Sequence, residues 1–310
     1  NTAKGADYYW NVNKQSAHIL DEIRKAFTEG DQVKAERLTR QNFNSEVPYE
    51  GSREKPFRFG SFTTMGEFYV ETGLNIIGMS DYKRILSLDS AMAVVQFKKD
   101  DVAYQRNYFI SYPANVLVMR FSADQPGKQN LTFRYAPNPV STGQFSADGN
   151  NGLVYTASLD NNGMKYVVRI QAETKGGTLV NRNGKLTVKG ADEVVFYVTA
   201  DTDYKANFAP DFKNPKTYVG VNPVETTGQW LANAVAKGYS ALLNEHYQDY
   251  AALFNRVKLN LNPTVKTGNL PTGQRLKNYR KGQPDYYLEE LYFQFGRYLL
   301  IASSRPGNMP

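Results

Sequence analysis

The chain has 310 residues, of which 41% are hydrophobic and 13% aromatic, so it is long enough for about two domains with buried cores. It contains no cysteine and only two histidines, which excludes disulfide scaffolds, thiolate zinc sites and cysteine nucleophiles, and disfavours a histidine-rich metal site. Its net charge of +7 comes from lysines and arginines that are scattered along the chain, so we expect no nucleic-acid partner.

Residues 1–80 predict two short helices followed by irregular aromatic segments of a sandwich domain. Ser16 can cap a first helix that Gly30 ends, and Asp31 begins a second helix that runs to about Phe43. The next stretch, PYEGSREKPFRFGSFTTMGEFYVETG, is punctuated by glycines and aromatic residues. It predicts loops and irregular strands.

Residues 81–222 predict an antiparallel β-sandwich of about ten strands. Apolar residues alternate with polar ones in successive short runs, as in Leu117, Met119 and Phe121, which is typical of half-buried strands. The dipeptides Asn162-Gly163 and Asn183-Gly184 favour tight hairpins. No helical segment long enough to connect parallel strands interrupts the series, so the sheets should be antiparallel.

Residues 223–282 predict a helical linker. Its main helix should run from about Thr227 to Val257, with an apolar stripe at spacings of four and three residues. The stripe consists of Val235, Tyr239, Leu243, Tyr247, Tyr250 and Phe254.

Residues 283–310 predict one further helix that is apolar on most of its faces. Pro284 and Asp285 provide a start signal, and the helix is too short and too polar for a membrane span, which needs roughly 20 apolar residues. A helix of this kind requires burial on all sides. We therefore expect covering helices outside the sequence, which would make the chain a fragment.

Several segments resemble glycoside hydrolase family 95, the α-L-fucosidase and α-L-galactosidase family. LLNEHYQDYAALFNRVKLNL, NLPTGQRL and LEELYFQFGRYLLIASSRPG are similar, in this order, to the linker and first barrel helix of that family. GADYYWNVNKQSAHILDEIRKAFTEGDQVKAERL, SDYKRILSLDSAMAVVQF and YQRNYFISYPANVLVMRF extend the resemblance to the amino-terminal half.

The resemblance implies a multi-domain fold of α and β structure. An antiparallel β-sandwich and a helical linker would lead into the first helix of an (α/α)6 barrel, most of which is missing from the sequence. The family's catalytic residues would follow Pro310, so no catalytic residue is expected within this span.

The activity that the resemblance implies is exo-acting, inverting hydrolysis that releases α-linked L-fucose from glycans. An α-L-galactosidase of the same family is the close alternative, because the two sugars differ by one hydroxyl. A non-catalytic carbohydrate-binding sandwich and a structural scaffold are alternatives of a different class. The implied partner is a fucosylated or L-galactosylated oligosaccharide or polysaccharide in the periplasm or outside the cell, and no cofactor or metal is expected.

Ser304 and Arg305 are the predicted substrate-binding residues. They lie where the final helix gives way to a loop, and loops at a barrel mouth are where sugar contacts are built. Arg305 could hold a sugar hydroxyl or a carboxylate partner. A simple role at the helix end is the alternative that is more often found.

Four carboxylates stand out, but each has an ordinary structural interpretation. Glu289 and Glu290 diverge by about 100 degrees on a helix and cannot face each other across a bond, which favours a helix-start or surface role. Asp201 and Asp203 could bind a hard cation through oxygen. Without a glycine-centred ligand loop around them, turn formation is the favoured interpretation.

The histidines and one aromatic cluster complete the candidates. We interpret His246, beside the apolar stripe, as an interface histidine rather than a proton-transfer group, and His18 as still less functional. Tyr8, Tyr9 and Trp10 could stack on a sugar, although core packing is the favoured interpretation.

Overall fold

The computed structural model describes residues 14–43, 63–160, 163–207, 209, 214, 216–261 and 270–305. Within these ranges twelve strands form two antiparallel sheets, which pack face to face and enclose a hydrophobic core. The alternating segments of the sequence therefore form the predicted antiparallel sandwich.

Eight strands form the larger sheet: β2 (Ser80–Ser87), β3 (Met92–Lys99), β4 (Val102–Ser111), β5 (Val116–Ala123), β7 (Ser141–Asp148), β8 (Gly152–Leu159), β9 (Lys165–Lys175) and β12 (Glu193–Thr202). They lie in the order β2-β3-β4-β5-β12-β9-β8-β7. Four strands form the smaller sheet: β1 (Gly66–Glu71), β6 (Gln129–Pro137), β10 (Thr178–Arg182) and β11 (Lys185–Ala191). Their order is β1-β6-β11-β10.

The main core lies between the inner faces of the two sheets. Phe133 and Tyr135 of β6 are buried in it, whereas Arg134 between them points away. Phe196 of β12 meets Phe121 and Phe133 at ring-centroid distances of 5.9 and 4.8 Å. Burying a large apolar side chain contributes roughly 1.5–3 kcal/mol relative to leaving it exposed, so this layer holds the two sheets together.

Five α-helices and one short 3-10 helix accompany the sheets. They are the 3-10 helix Lys14–Ile19, α1 (Leu20–Thr28), α2 (Gln32–Phe43), α3 (Pro223–Phe254), α4 (Thr272–Arg280) and α5 (Tyr286–Ser303). Helix α3 packs on the outer face of the larger sheet, where Leu231 and Leu242 are buried against Phe109 and Tyr197. This contact gives the sandwich a second hydrophobic layer.

Helix α3 begins at Pro223, four residues before the predicted start at Thr227. The side chain of Asn222 caps it by accepting a hydrogen bond from the Val224 N–H at 3.2 Å. The helix is interrupted at Gly238, which has φ +72° and ψ 170°. Only glycine adopts this conformation without strain.

The buried face of α3 agrees with the predicted stripe in part. Val235, Tyr239 and Leu243 of the stripe pack against the core that contains Leu231 and Leu242, and Tyr250 is buried. Tyr247 of the stripe is 43% exposed, whereas His246 beside it is buried.

The amino-terminal helices agree with the sequence in part. Gly30 ends α1 with φ +79°, and the Asp31 carboxylate caps α2 by accepting from the Lys34 N–H at 2.9 Å. Ser16 is not the cap that was predicted. It lies inside the 3-10 helix, and the residue before α1 is Ile19, which makes no side-chain cap.

The strands agree with the sequence-based expectation only in part. Gly66–Glu71, in the segment predicted to form loops and irregular strands, is a regular strand of the smaller sheet. The Asn183-Gly184 hairpin is confirmed, with φ +52° and +68° at its two turn residues. Asn162, of the other predicted hairpin, lies outside the described residues.

Helix α5 starts as the sequence predicted, with Asp285 as its cap. The Asp285 carboxylate accepts from the Leu288 N–H at 3.0 Å and pairs with Arg275 of α4 at 2.8 and 3.1 Å. Both side chains of this ion pair are 8% exposed. Among the residues of α5, only Leu288 is buried, and it anchors the first turn of the helix.

The rest of α5 leaves most of its apolar side chains accessible. Tyr292 is 78% exposed and Leu300 64%, with Tyr286, Tyr287, Phe293, Phe295 and Leu299 between 38% and 50%. The described part of the sandwich therefore does not bury this helix on all sides.

Candidate functional site

A cleft of about 810 Å³ lies where the turn between β4 and β5, helix α3 and the end of helix α5 meet. Its aromatic walls include Tyr108, Tyr112, Trp230, Tyr250 and Tyr298. Its polar groups include Asp201, His246, Asp249 and Arg305. Aromatic walls with a few convergent polar groups are typical of ligand sites, so this cleft is the candidate functional site.

Arg305 closes one side of the cleft. Its Nη2 atom donates to both carboxylate oxygens of Asp249 on α3, and its guanidinium lies over the ring of Tyr112, 4.3 Å from the centroid. The residue is 9% exposed. A charge-assisted pair and a cation–π contact therefore join the end of α5 to α3 and to the β4–β5 turn.

Ser304 lies next to this pair but points away from the interior. It follows the last residue of α5, its N–H donates to the Leu300 carbonyl at 2.8 Å, and its hydroxyl lies 3.3 Å from that of Ser303. The side chain is exposed. The sugar contacts of Ser304 and Arg305 remain predictions, and only Arg305 lines the cleft.

His246 and Tyr250 hold the turn between β2 and β3 against α3. The His246 Nε2 atom lies 2.8 Å from the Ser90 carbonyl oxygen, and the Tyr250 hydroxyl donates to the Leu88 carbonyl at 2.7 Å. Burial raises the pKa of Tyr250 to about 12. His246 is buried within the helix–sheet interface, not beside it, and its contacts match the interpretation of an interface histidine.

Asp201 and Asp203 lie at the end of β12 and serve different local contacts. Burial raises the pKa of the Asp201 carboxyl, which lines the cleft. Asp203 accepts a hydrogen bond from the Lys165 N–H at 3.0 Å and so fixes the start of β9. Among the described residues, no group of three or more His, Asp or Glu side chains is arranged to hold a metal.

The other candidates lie away from the cleft. Glu289 accepts from the Tyr279 hydroxyl at 2.9 Å, and Glu290 accepts from the Leu261 N–H at 2.5 Å, so both carboxylates connect helix α5 to neighbouring segments. His18 is exposed on the 3-10 helix. The aromatic cluster at residues 8–10 lies outside the described part of the chain.

Sequence reasoning missed three residues that shape the cleft: Tyr112, Trp230 and Asp249. Asp249 is 56 residues from Arg305, so their pairing depends on how α3 and α5 pack. Trp230 lies in α3, whose predicted stripe excluded it. An isolated Asp three residues after a buried histidine carries no sequence signal of its own.

Two protein-family models match successive parts of the chain. The model for the glycosyl hydrolase family 65 N-terminal domain matches residues 4–207, and the model for the glycosyl hydrolase family 95 catalytic domain matches residues 238–310. The cleft lies between these two matched regions, because β4 and β5 belong to the first and α5 to the second.

Curated relatives agree with the family models. A probable alpha-fucosidase A of Aspergillus niger is 32% identical over 268 residues, covering 83% of this chain and 32% of that protein. Alpha-L-fucosidase 2 of Arabidopsis thaliana is 27% identical over 255 residues, covering 74% of this chain and 29% of that protein. A probable alpha-fucosidase A of Aspergillus oryzae is 25% identical over 310 residues, covering 97% of this chain and 40% of that protein.

The first matched region corresponds to an N-terminal domain of glycosyl hydrolases and folds as a β-sandwich, and the second corresponds to part of a glycosyl hydrolase catalytic domain. The chain belongs to glycoside hydrolase family 95, to the amino-terminal part of its members. It spans about a third of the length of the first two curated relatives it matches. None of the helices in the described ranges combines the length and the hydropathy that crossing a bilayer requires.

Proposed function

We propose that the chain is the sandwich and linker of an exo-acting, inverting α-L-fucosidase. The observation that carries this proposal is the match of residues 238–310 to a family 95 catalytic domain, together with relatives that are named as α-fucosidases. The substrate would be an α-linked L-fucose at the end of a glycan, in the periplasm or outside the cell.

The proposed domain organisation has three parts. They are the sandwich at residues 1–222, the linker at 223–282 and the start of an (α/α)6 barrel at 283–310. Helix α5 supports this division because its exposed apolar residues, such as Tyr292 and Leu300, lie on sides that the described sandwich does not cover. In a barrel, neighbouring helices would bury these side chains. Burial there would stabilise the protein by roughly 1.5–3 kcal/mol for each large side chain, relative to leaving it exposed.

The proposed chemistry requires a general acid and a group that activates water, and Glu289 and Glu290 of α5 are not arranged for these roles. Inverting hydrolysis uses a general acid and a base about 6.5–9.5 Å apart on opposite faces of the sugar. Glu289 and Glu290 are adjacent on α5 and each accepts a hydrogen bond from a different segment. We therefore propose that the catalytic groups follow Pro310.

Arg305 and Ser304 are the proposed sugar contacts of this span. The Asp249 carboxylate and the Tyr112 ring fix the guanidinium at the edge of the cleft, which is how a rigid sugar contact is prepared before binding. In a protein with a complete catalytic domain, we expect Arg305→Ala to raise KM for an aryl α-L-fucoside. Arg280→Ala, at an exposed position in α4 that does not line the cleft, is the matched control.

The decisive experiment compares the 310-residue chain with the same chain extended by a complete family 95 catalytic domain. Both are assayed with aryl α-L-fucoside and aryl α-L-galactoside. We expect activity in the extended protein alone, with the fucoside preferred.

The other outcomes separate the alternatives. Preference for the galactoside would instead assign an α-L-galactosidase. Glycan binding without turnover in both proteins would overturn the proposal in favour of a carbohydrate-binding sandwich.

A further inference from the structure

The outer face of the smaller sheet carries a row of cations that crosses its strands. The strand register places Tyr69 of β1 beside Arg134 of β6, Arg134 beside Lys185 of β11, and Lys185 beside Arg182 of β10. Neighbouring strands lie about 4.8 Å apart, so the four side chains form a continuous line across the sheet. We call Arg134, Lys185 and Arg182 the cationic row.

The cationic row is unfavourable for folding. Like charges directly opposite each other on neighbouring strands destabilise a sheet, and this row has two such pairs in succession. Arg134 is compensated by Glu71, whose Oε1 atom lies 2.9 Å from its Nε atom. Within the described residues, no carboxylate lies within 4 Å of Lys185 or Arg182, and both are exposed.

The backbone sets the spacing of the row, and neighbouring side chains hold one of its members, Arg134, in position. Lys185 and Arg182 flank the two-residue Asn183-Gly184 turn, which fixes them opposite each other. The Arg134 guanidinium lies 3.7 Å from the centroid of the Tyr69 ring. Groups that are held in position before binding lose less conformational entropy when a ligand arrives.

The row beside the cations offers hydroxyl groups. Thr132 of β6 and Thr187 of β11 face each other, with their hydroxyl oxygens 3.3 Å apart. Two carboxylates, Glu67 and Glu71, lie on the same face at the β1 edge, so the positive charge is concentrated towards β10 and β11. An anionic ligand that also carries hydroxyls would satisfy both rows.

We propose that the cationic row binds an acidic polysaccharide, whose carboxylate or sulfate groups neutralise Lys185, Arg182 and Arg134 while its hydroxyls meet the threonine row. The choice of a polysaccharide among polyanions rests on the proposed glycosidase function. The site lies on the outer face of the smaller sheet, whereas Phe68 and Tyr135 of its inner face line the cleft. It would hold the enzyme on a charged glycan independently of the bond that is cleaved.

The test measures binding of the extended protein, in which a complete family 95 catalytic domain follows the 310-residue chain, to two pairs of polymers. One pair is polygalacturonate and its fully methyl-esterified form, and the other is dextran sulfate and neutral dextran. We expect binding to the charged member of at least one pair and to neither neutral polymer. Raising NaCl from 0.05 to 0.5 M should weaken that binding severalfold, because salt screens exposed charges. The pair that binds identifies carboxylate or sulfate as the ligand group.

Two double variants distinguish binding at this site from nonspecific attraction of polyanions to a positively charged chain. We expect the double substitution Arg182→Gln, Lys185→Gln to lower affinity on the order of tenfold. Arg280→Gln with Lys281→Gln removes the same charge from the exposed end of α4 and should leave affinity nearly unchanged. Because the row is repulsive, neutralising it should leave the melting temperature equal or slightly higher.

Three results would overturn the proposal. They are equal loss of affinity in both double variants, binding to the neutral polymers, and affinity for a single-stranded nucleic acid that matches or exceeds that for the acidic polysaccharides. The aryl fucosidase assay of the extended protein reports the proposed enzyme function separately, so the two can fail independently.

Discussion

Asp285 has two structural roles at the scale of a single residue. It caps the amino end of α5 and pairs with Arg275, and both side chains of the pair are 8% exposed. Water therefore cannot replace either contact. Removing one partner of a buried ion pair costs about 3–5 kcal/mol because the other charge is left uncompensated.

We predict that Asp285→Ala lowers the free energy of unfolding by about 3–5 kcal/mol. Asp285→Asn, which keeps an oxygen for the cap, should lose less. The matched control is Lys237→Gln, which removes a much more exposed ion pair with Glu245 and should cost less than about 1 kcal/mol. Urea denaturation measures all three, and equal losses for Asp285→Ala and Lys237→Gln would contradict the prediction.

Gly238 shows at the scale of an element how one residue reorients a helix. Its φ of +72° and ψ of 170° separate α3 into a first part that packs against β12 and a second part that holds the β2–β3 turn through His246 and Tyr250. Apart from its chain neighbours and the nearby backbone of its own helix, no atom of the described residues lies within 4 Å of the position that a Cβ would occupy. A side chain there would be opposed by backbone conformation rather than by crowding.

We predict that Gly238→Ala destabilises the chain by about 1–3 kcal/mol, the cost of forcing a non-glycine residue into this conformation. Gly296→Ala in α5 is the matched control, since its Cβ position is equally open but its backbone is helical. That change should stabilise by about 0.5–1 kcal/mol. Thermal unfolding distinguishes the opposite signs, and stabilisation by both substitutions would show that the kink is not required.

The elements that the sequence predicted well are those whose own side chains determine them. Strand β6 alternates buried and accessible residues, and the alternation was readable in advance. Strand β7, Ser141–Asp148, lies at the edge of the larger sheet, and its small and polar residues are mostly accessible, so no buried alternation marks it in the sequence. On α3, the stripe residues Val235, Tyr239 and Leu243 do pack against the core, but no pattern in the sequence signals the interruption of the helix at Gly238.

The candidate cleft was less predictable than the sandwich. Arg305 was identified from its place after the last helix, but its partners Asp249 and Tyr112 come from other elements. Contacts between residues this far apart in sequence depend on packing angles that side-chain periodicity does not determine. The same limit applies to the cationic row, which requires the register of four strands.

Several buried tyrosines make the stability of the whole molecule depend on pH in the alkaline range. Burial raises the pKa of Tyr135 and of Tyr197 above the ordinary value, and that of Tyr250 to about 12. In the unfolded chain these phenols lose their protons near pH 10. The unfolded state therefore binds fewer protons than the folded state above that pH.

We predict that stability is unaffected by these groups below about pH 10 and falls as pH rises from about 10 to 12. Unfolding free energies measured across this window should show the decline, and absorbance at 295 nm should show delayed tyrosine ionisation. Tyr250→Phe should make the decline shallower. An identical slope in that variant would contradict the role of Tyr250.

The exposed apolar face of α5 determines how the whole chain behaves in solution. Tyr292 and Leu300 belong to a surface that, without a cover, favours self-association. We predict that the 310-residue chain aggregates and that ending it near Asn262 improves its solubility. Light scattering at matched concentrations tests this, and a well-folded monomer of the untrimmed chain would contradict it.

An arginine side chain of α5 also joins that helix to the carboxyl end of α3 through hydrogen bonds. Arg297 of α5 donates to the carbonyl oxygens of Phe254 and Val257, at 2.7 and 2.8 Å, at the carboxyl end of α3. The Phe254 oxygen belongs to the last turn of α3, where the helix dipole is negative and carbonyl groups have no partner within the helix, and Val257 lies three residues further along the chain. Moving α5 away from α3 would leave the carbonyl oxygens of Phe254 and Val257 without this donor. We therefore expect the two helices to move as one rigid unit rather than to hinge at their junction.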